Sequence, residues 1–277
     1  MVDSVISKLN YSIRGGNILK GYVFVVQVVS ARKGVGKTLL IERLAENLSS
    51  RGIRFSYIKV SHHKPTLPSK DVERILEKGC TFAAFYSPYI VYKCSKELVS
   101  LEELVNEVSH KSPIVIVEGF RREKLGFRII VVDRVEDLKM LLGETPSGEI
   151  VYSTNSDVYI ELKKKYGNIV FQPGEEEKIA DIIIEEAIAY FGKLLPGLDC
   201  GKCGFNTCKD LAVNIVKGGG SIFQCRILHS VILRVNGVNI SLSHYPQLVF
   251  KNVILSLVKT LKGIPKDIQT IEIKVTF

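Results

Sequence analysis

The chain has 277 residues and a formal net charge of +9, with 46% hydrophobic and 24% charged residues. This composition is typical of a folded globular protein and excludes a disordered or collagen-like chain. The positive charge is compatible with phosphate-rich ligands, but no run of five or more Lys and Arg residues or aromatic-basic surface indicates a nucleic-acid partner.

Residues 22–195 have the pattern of an α/β domain, because short β-rich runs alternate with helical patterns. Leucines recur at every fourth position of residues 37–51 and predict a helix, and a second, long helix is expected over residues 175–191. The clearest predicted strands are residues 23–29, 54–60, 114–117 and 128–132. This rhythm predicts a mostly parallel sheet covered by helices.

Residues 31–38 read Ala-Arg-Lys-Gly-Val-Gly-Lys-Thr and join an apolar strand to an amphipathic helix, which is the context of a Walker A phosphate-binding loop. Gly34 and Gly36 would let backbone N–H groups turn towards phosphate oxygens. Lys37 would bridge the terminal phosphates, and the Thr38 hydroxyl would bind Mg²⁺. Because Ala31 stands where the motif has Gly, a chance glycine-rich turn is the alternative.

A second Mg²⁺ ligand is expected at the end of a neighbouring buried strand. The apolar run 114–117 leads directly into Glu118 and Gly119, at the carboxyl edge of the sheet, where open α/β sheets bind ligands. Glu118 is therefore the candidate for water-mediated Mg²⁺ binding or for activation of water. A strand-end carboxylate that merely caps a loop is the alternative.

The residues do not choose between GTP and ATP. No Asn-Lys-x-Asp guanine signature is present, and Asn155-Ser-Asp157 matches it poorly. Slow hydrolysis is expected because no arginine finger or water-positioning Gln is recognisable, although Arg121 or a partner could supply the arginine.

Four of the six cysteines, Cys200, Cys203, Cys208 and Cys225, lie within 26 residues. In a reducing compartment such a cluster indicates a metal site rather than disulfides. Zinc sites with four cysteines usually present two close pairs, whereas here only one Cys-x-x-Cys occurs. We expect a [4Fe-4S] cluster, with zinc or free thiols as the alternatives.

The last part of the chain predicts a small α+β unit. Asn236-Gly237 lies between alternating apolar residues and predicts a β-hairpin. A helix is expected over residues 245–262 and a final strand over residues 270–276.

Several short motifs follow the phosphate loop in order: Ile-Lys59-Val, His62-His63, Lys70-Asp71-Val-Glu-Arg74 and Val-Glu118-Gly119-Phe. Over about residues 22–192 this series resembles the molybdopterin-guanine dinucleotide biosynthesis protein B family. The resemblance implies a P-loop GTP-binding protein that acts, as a homodimer, with the molybdenum cofactor and with a guanylyltransferase or a receiving metalloenzyme.

Carried over residue by residue, the resemblance implies nucleotide or cofactor contacts and a metal site near Thr38 and Glu118. The implied contacts are Lys33, Gly34, Val35, Gly36, Lys37, Thr38, Leu39, Lys59, His62, Asp71, Arg74 and Gly119. Read without the family, adjacent His62 and His63 would face opposite ways on an extended segment, so ordinary loop histidines are the alternative.

The sequence Cys200-Gly-Lys-Cys203-Gly also resembles the small four-cysteine iron–sulfur domain of electron-transfer and corrinoid proteins, over about residues 195–226. Together these patterns predict a P-loop NTPase domain, a four-cysteine unit and an α+β cap. The expected boundaries are an N-terminal extension at 1–21, the nucleotide-binding domain at 22–195, the iron–sulfur unit at 196–227 and the cap at 228–277.

The leading hypothesis is a GTP-binding accessory protein for molybdenum or tungsten cofactor maturation, with Lys37, Thr38 and Glu118 supporting weak GTPase activity. The alternatives are a nucleotide-gated adapter without turnover and a metallocentre-assembly ATPase with a structural metal site. The N-terminus has no signal-peptide pattern, and the apolar run 22–29 is too short to cross a bilayer, so a cytoplasmic location without a membrane partner is expected.

Overall fold

The computed structural model describes residues 22–61, 69–95, 99–142 and 149–227, and further on residues 231, 233–235, 238–240, 242, 244–265, 268 and 271–275. The strands up to the cysteine-rich segment are β1 (Phe24–Val29), β2 (Phe55–Lys59), β3 (Phe82–Tyr86), β4 (Val91–Ser95), β5 (Ile114–Glu118), β6 (Phe127–Val132), β7 (Glu149–Ser153) and β8 (Val170–Phe171). Six of them form one sheet in the order β2-β5-β1-β6-β7-β8, in which every neighbouring pair is parallel.

This sheet confirms the predicted α/β class. The four predicted strands are found within one residue at each end, a difference within the usual uncertainty of element boundaries. Strands β1, β5, β6 and β7 are buried along their whole length, because a parallel sheet is covered on both faces.

Helices cover both faces of the sheet. They are α1 (Lys37–Ser50), α2 (Lys70–Glu77), α3 (Leu101–Ser109), α4 (Val135–Leu142), α5 (Ser156–Tyr166), α6 (Glu176–Leu194), α7 (Cys208–Val216) and α8 (His244–Lys259). Alternate residues of β1 serve the two faces: Phe24, Val26 and Val28 pack with α1 and α6, whereas Val25 packs with α3.

Strands β3 and β4 form an antiparallel hairpin outside the main sheet that the sequence-based prediction lacks. Its aromatic residues Phe82, Tyr86 and Tyr89 are exposed. Because its apolar side chains do not alternate between a buried and a solvent face, the hairpin has none of the patterning by which a half-buried strand is recognised.

The cysteine-rich segment packs directly on the nucleotide-binding part of the chain. Leu211 and Ile215 of α7 lie in the same hydrophobic cluster as Leu44 of α1 and Phe191 of α6. The core is therefore continuous across the predicted boundary at residue 196, and the boundary itself stays a prediction.

Two further contacts join these parts of the chain. The guanidinium of Arg54, just before β2, donates a hydrogen bond of 2.5 Å to the carbonyl of Gly218. The ring of Phe223 meets that of Tyr22 edge-on, with centroids 5.5 Å apart. The cysteine segment is thus attached by α6, by an arginine and by an aromatic pair.

Beyond residue 227, strands β9 (Leu233–Val235) and β10 (Val238–Ile240) pair antiparallel, as the Asn236-Gly237 signal predicts, and α8 corresponds to the predicted helix. The predicted final strand is wrong for residues 271–275, which form no strand. Pairing needs a neighbouring strand, and the described residues include none beside this stretch.

The shared core predicts that a change in the cysteine segment destabilises the nucleotide-binding part as well. Leu211→Ala should lower the free energy of unfolding by about 2–5 kcal/mol, because it opens a cavity in a fully packed cluster. Urea unfolding followed by circular dichroism and tyrosine fluorescence should show a single transition at lower urea. Lys209→Ala, on the exposed face of the same helix, should change stability by less than about 0.5 kcal/mol. A separate early transition with an unchanged main transition would contradict the shared core.

Candidate functional site

The phosphate loop joins β1 to α1, with Gly34 and Gly36 in the left-handed region at φ 76° and 95°. A side chain at Gly36 would also approach Thr154, since a Cβ atom there would lie 3.1 Å from its methyl carbon. Helix α1 begins directly after this turn, at Lys37. The first N–H groups of a helix have no acceptor within the helix, so this turn presents donors and a positive dipole end to an anion.

Lys37 lies folded against the loop. Its Nζ atom donates to the hydroxyl of Ser30 at 2.6 Å and lies 3.4 Å from the carbonyl oxygen of Arg32. Burial lowers the pKa of Lys37; the Glu118 carboxylate opposes this shift, while the charges of Lys59 and Arg121 add to it. Several cations thus surround the loop together with one carboxylate.

Glu118 is buried at the end of β5 and its carboxylate is shared by three side chains. The Thr38 hydroxyl lies 3.2 Å from Oε1, the Lys59 ammonium lies 3.4 Å from Oε1, and the Tyr57 hydroxyl donates to Oε2 at 2.5 Å. The register explains the proximity, since Lys59 is the direct partner of Glu118 in the pairing of β2 with β5. Burial, together with the hydrogen bond to Glu118, raises the pKa of Tyr57.

A cavity of about 930 Å³ opens over these groups. Its walls come from the phosphate loop, the end of β2 and the loop that follows β5. The lining residues are Val29, Ser30, Ala31, Arg32, Lys33, Gly34, Gly36, Lys37, Thr38, Leu39, Lys59, Val60, Ser61, Glu118, Gly119, Phe120, Arg121 and Arg122. Its volume lies in the range of small-molecule sites, about 300–1,000 Å³.

The structure gathers most of the predicted site residues around this cavity. Val35 is the exception within the loop, because its side chain is buried in the core and only its backbone remains for a ligand. Asp71 and Arg74 pair with each other on the exposed surface of α2 and do not line the cavity as described. His62 lies outside the described residues, so contacts from the 62–68 segment stay a prediction.

Three contacts in this site were missed from the sequence. Tyr57 precedes Lys59 by two residues on β2, so the two side chains lie on the same face of the strand. Once β2 is placed beside β5, this spacing predicts that Tyr57 also faces Glu118. Ser30 immediately precedes the motif and contacts Lys37. The guanidinium of Arg121 donates to the carbonyl of Ala31 at 2.5 Å, a contact that depends on the path of a loop.

The four clustered cysteines line one small cavity of about 10 Å³. Cys225 is buried, Cys200 is exposed, and Cys208 is the first residue of α7. The backbone N–H of Cys208 donates to Asp199 at 2.6 Å, and Thr207 with Asp210 forms a capping box.

These four thiols fit a metal centre in chemistry and convergence. Gly201 and Gly204 adopt φ of 69° and 89° between them, and a Cβ atom at either would meet no other atom within 4 Å, so space remains around the turn. Within the described residues no three His, Cys, Asp or Glu side chains are already arranged to hold a metal ion. To hold a metal centre the thiols would have to turn towards it, since the cavity is about the size of one water molecule.

Comparison with protein families gives two separate matches along the chain. Residues 25–147 match the family of molybdopterin guanine dinucleotide synthesis protein B, abbreviated MobB. Residues 195–227 match the family described as "Putative Fe-S cluster".

Two curated relatives carry the name molybdopterin-guanine dinucleotide biosynthesis adapter protein. The Haemophilus influenzae protein is 32% identical over 102 residues, which span 35% of this chain and 57% of that protein. The Escherichia coli protein is 27% identical over 167 residues, which span 56% of this chain and 89% of that protein. The first alignment thus covers little more than half of the relative.

Among solved structures, Bacillus subtilis MobB matches with a TM-score of 0.47 and 20% identity, over 58% of this chain and 96% of that chain. A molybdopterin-guanine biosynthesis protein B structure matches with a TM-score of 0.43 and 23% identity, over 59% of this chain and 98% of that chain. No helix in the described residues is long and apolar enough to span a membrane. In sequence, residues 25–147 are thus similar to the MobB family, and a segment similar to an iron–sulfur family follows them in the same chain.

Proposed function

We propose that this chain is a GTP-binding adapter in the biosynthesis or delivery of the molybdenum cofactor guanine dinucleotide, or of its tungsten counterpart. The observation that carries the proposal is the contact between Thr38 and Glu118 at 3.2 Å, directly beside the phosphate loop. It supports the pairing of a loop hydroxyl with a strand-end carboxylate that phosphate-loop proteins use for Mg²⁺. The family match at residues 25–147 supports the biosynthetic context.

The proposed roles follow from the geometry. Gly34, Gly36 and the first turn of α1 would hold the phosphates, and Lys37 would leave Ser30 to reach the terminal phosphate. Thr38 and Glu118 offer hard oxygen donors that fit Mg²⁺. Slow hydrolysis follows because the cavity lining, in the described residues, contains no Gln or His side chain to orient a water molecule.

A metallocentre-assembly ATPase is the weaker candidate. It would use Arg32 as the signature cation of a deviant Walker loop. In this structure the Arg32 guanidinium is paired with Asp133 and, at 2.8 Å, with Asp137 of the same chain. A nucleotide-gated adapter without turnover shares the same nucleotide site and differs only in its hydrolysis rate.

The partners proposed for the chain are the molybdenum cofactor, the guanylyltransferase or receiving metalloenzyme, and a second copy of the chain. Support for a homodimer comes from the exposed aromatic hairpin β3–β4, where Tyr86 and Tyr89 are 79% and 96% exposed. Large apolar side chains clustered on a surface are typical of protein interfaces. The location proposed for these encounters is the cytoplasm.

We further propose that Cys200, Cys203, Cys208 and Cys225 hold a [4Fe-4S] cluster. The shared cavity and the family match at residues 195–227 support this ligand set. A cluster there would supply one-electron redox chemistry, and zinc would supply structure alone.

Nucleotide binding tests the central proposal. Lys37→Ala should weaken GTP binding by about 10- to 150-fold, since a charged hydrogen bond contributes about 1.5–3 kcal/mol. Isothermal titration with GTP and with ATP, each with and without Mg²⁺, measures the effect and the base preference. Glu118→Gln should reduce only the gain that Mg²⁺ provides. Lys111→Ala, an exposed cation at the opposite edge of the sheet, should bind GTP as the wild type does. Equal GTP binding by Lys37→Ala, or a preference for ATP, would count against the proposal.

Tyr57 holds the Glu118 carboxylate in place, and this contact has a pH signature. Because its pKa in the folded protein lies above the unfolded value of about 10, the proton is held more tightly after folding. The resulting stability is complete below pH 10 and is lost as the pH rises towards the folded pKa. Urea unfolding between pH 9 and 11 should therefore show a steeper loss of stability for wild type than for Tyr57→Phe. Tyr89→Phe, at an exposed ring, is the control; identical slopes for wild type and Tyr57→Phe would refute the assignment.

Metal analysis tests the cysteine site. Protein purified without oxygen should contain roughly four iron ions per chain and a broad visible thiolate-to-iron band. Cys203→Ala should lose most of this iron, whereas Cys80→Ala should keep it, because Cys80 lies outside the cluster. Stoichiometric zinc in place of iron would replace the cluster assignment with a structural zinc site.

A further inference from the structure

The loop after β5 makes an abrupt turn beside the proposed Mg²⁺ site. Gly119 has φ 94°, and a Cβ atom there would lie 3.0 Å from the carbonyl oxygen of Val60. Phe120 follows with φ 57°, a left-handed conformation that is uncommon for a residue with a side chain. Residues in such conformations persist only where the surrounding structure holds them.

The side chain of Gln27, in the middle of β1, forms hydrogen bonds with the backbone of this loop. Its side chain is fully buried, and its amide nitrogen donates to the carbonyls of Phe120 at 2.6 Å and Glu123 at 2.9 Å. Its amide oxygen accepts from the N–H of Leu125 at 3.2 Å and from Nε of Arg128 at 3.0 Å. A buried amide with four partners in this geometry fixes the loop from residue 120 to residue 125.

The loop carries two arginines into the wall of the cavity. Arg121 anchors one guanidinium nitrogen on the carbonyl of Ala31, at 2.5 Å, so it bridges the loop and the phosphate loop. Arg122 is exposed and also lines the cavity, together with Lys59 from the end of β2. Because Gln27 fixes the backbone of this loop, the backbone that carries Arg121 and Arg122 is ordered before any ligand arrives, which reduces the entropy cost of binding.

The side chains that line the cavity carry more positive than negative charge, which favours the binding of more than one anion. Glu118 is the one carboxylate among the described lining residues. The same lining carries Lys33, Lys37, Lys59, Arg121 and Arg122. The nearby Arg32 is already paired with Asp133 and Asp137. In the proposed nucleotide complex Lys37 serves the terminal phosphate. Lys59, whose ammonium lies 3.4 Å from the Glu118 carboxylate, and Arg122 then line the β2 and β5 side.

The cavity extends towards this side. Its described lining comes from the phosphate loop and from the ends of β2 and β5, and it contains no residue from the segments that follow β6, β7 or β8. The space beyond Glu118 is therefore walled by cations and lies next to the position of the terminal phosphate.

We propose that Lys59, at the end of β2, and Arg122, on the loop that Gln27 fixes, form a second anion subsite that binds a phosphate monoester beside the nucleotide. The guanidinium fork of arginine matches two phosphate oxygens, and the lysine adds a point charge. This subsite rests on the proposed function for the position of the nucleotide, but its own residues lie outside the phosphate loop.

Titration of the nucleotide-loaded protein tests the subsite. The full chain is saturated with Mg²⁺ and a non-hydrolysable GTP analogue, and phenyl phosphate or inorganic phosphate is added in a calorimeter. Phenyl phosphate should bind one per chain, and Arg122→Gln should weaken it at least about tenfold, the effect of losing one charged hydrogen bond. Lys111→Gln, the same charge change at the far edge of the sheet, should leave it unchanged. Gln27→Leu should also weaken phenyl phosphate binding while the analogue still binds, which shows that the variant is folded.

Each contrary outcome overturns the subsite. In the first, phenyl phosphate only displaces the analogue. In the second, Arg122→Gln binds phenyl phosphate as tightly as the wild type does. In the third, inorganic phosphate binds and phenyl phosphate does not, which refutes a monoester as the ligand. If the analogue does not bind, the proposed function fails separately. The subsite is then tested without nucleotide by comparing Lys37→Ala with the double variant that also carries Arg122→Gln. Weaker phenyl phosphate binding by the double variant supports the subsite, and equal binding refutes it.

Discussion

The arrangement of the site depends on one constraint, the burial of the Glu118 carboxylate at the end of a parallel strand. A buried carboxylate is costly unless it is paired and hydrogen-bonded. Parallel pairing of β1, β2 and β5 brings their carboxyl ends to one edge, so Lys59, Tyr57 and the first turn of α1 all reach the same carboxylate. The register of the sheet thus determines which side chains meet there.

The same strand, β1, carries the second organising contact. Most of its residues are apolar, and Gln27 is a buried polar residue within it. Its four hydrogen bonds connect the sheet to the loop that follows β5 and fix the backbone conformation of that loop. Rigid strands therefore position both the carboxylate and the basic loop, which is the usual way in which catalytic loops gain precision.

The sequence was sufficient to predict the parallel sheet, the phosphate loop and the strand-end position of Glu118, because each depends on local patterning and on a short motif. It was not sufficient for the roles of Tyr57 and Gln27 or for the contact of Arg121 with Ala31, which depend on strand order and on loop path. Gln27 is separated by 93 residues from Phe120, and no periodicity in the chain reports such a contact. The hairpin β3–β4 was missed for another reason, since its apolar residues are exposed rather than alternating.

The turn at Gly218 shows how closely the cysteine segment fits the rest of the chain. A side chain there would collide with Arg54, because a Cβ atom would lie 2.3 Å from its Nε atom. If this segment were removed, the core residues that share a cluster with Leu211 and Ile215, among them Leu44 and Phe191, would meet water. The cysteine segment is therefore not a module that can be exchanged freely. A gene fragment ending near residue 195 would encode a protein with an exposed apolar surface. Moving the cysteine segment to another protein would require a matching apolar surface and a complementary arginine.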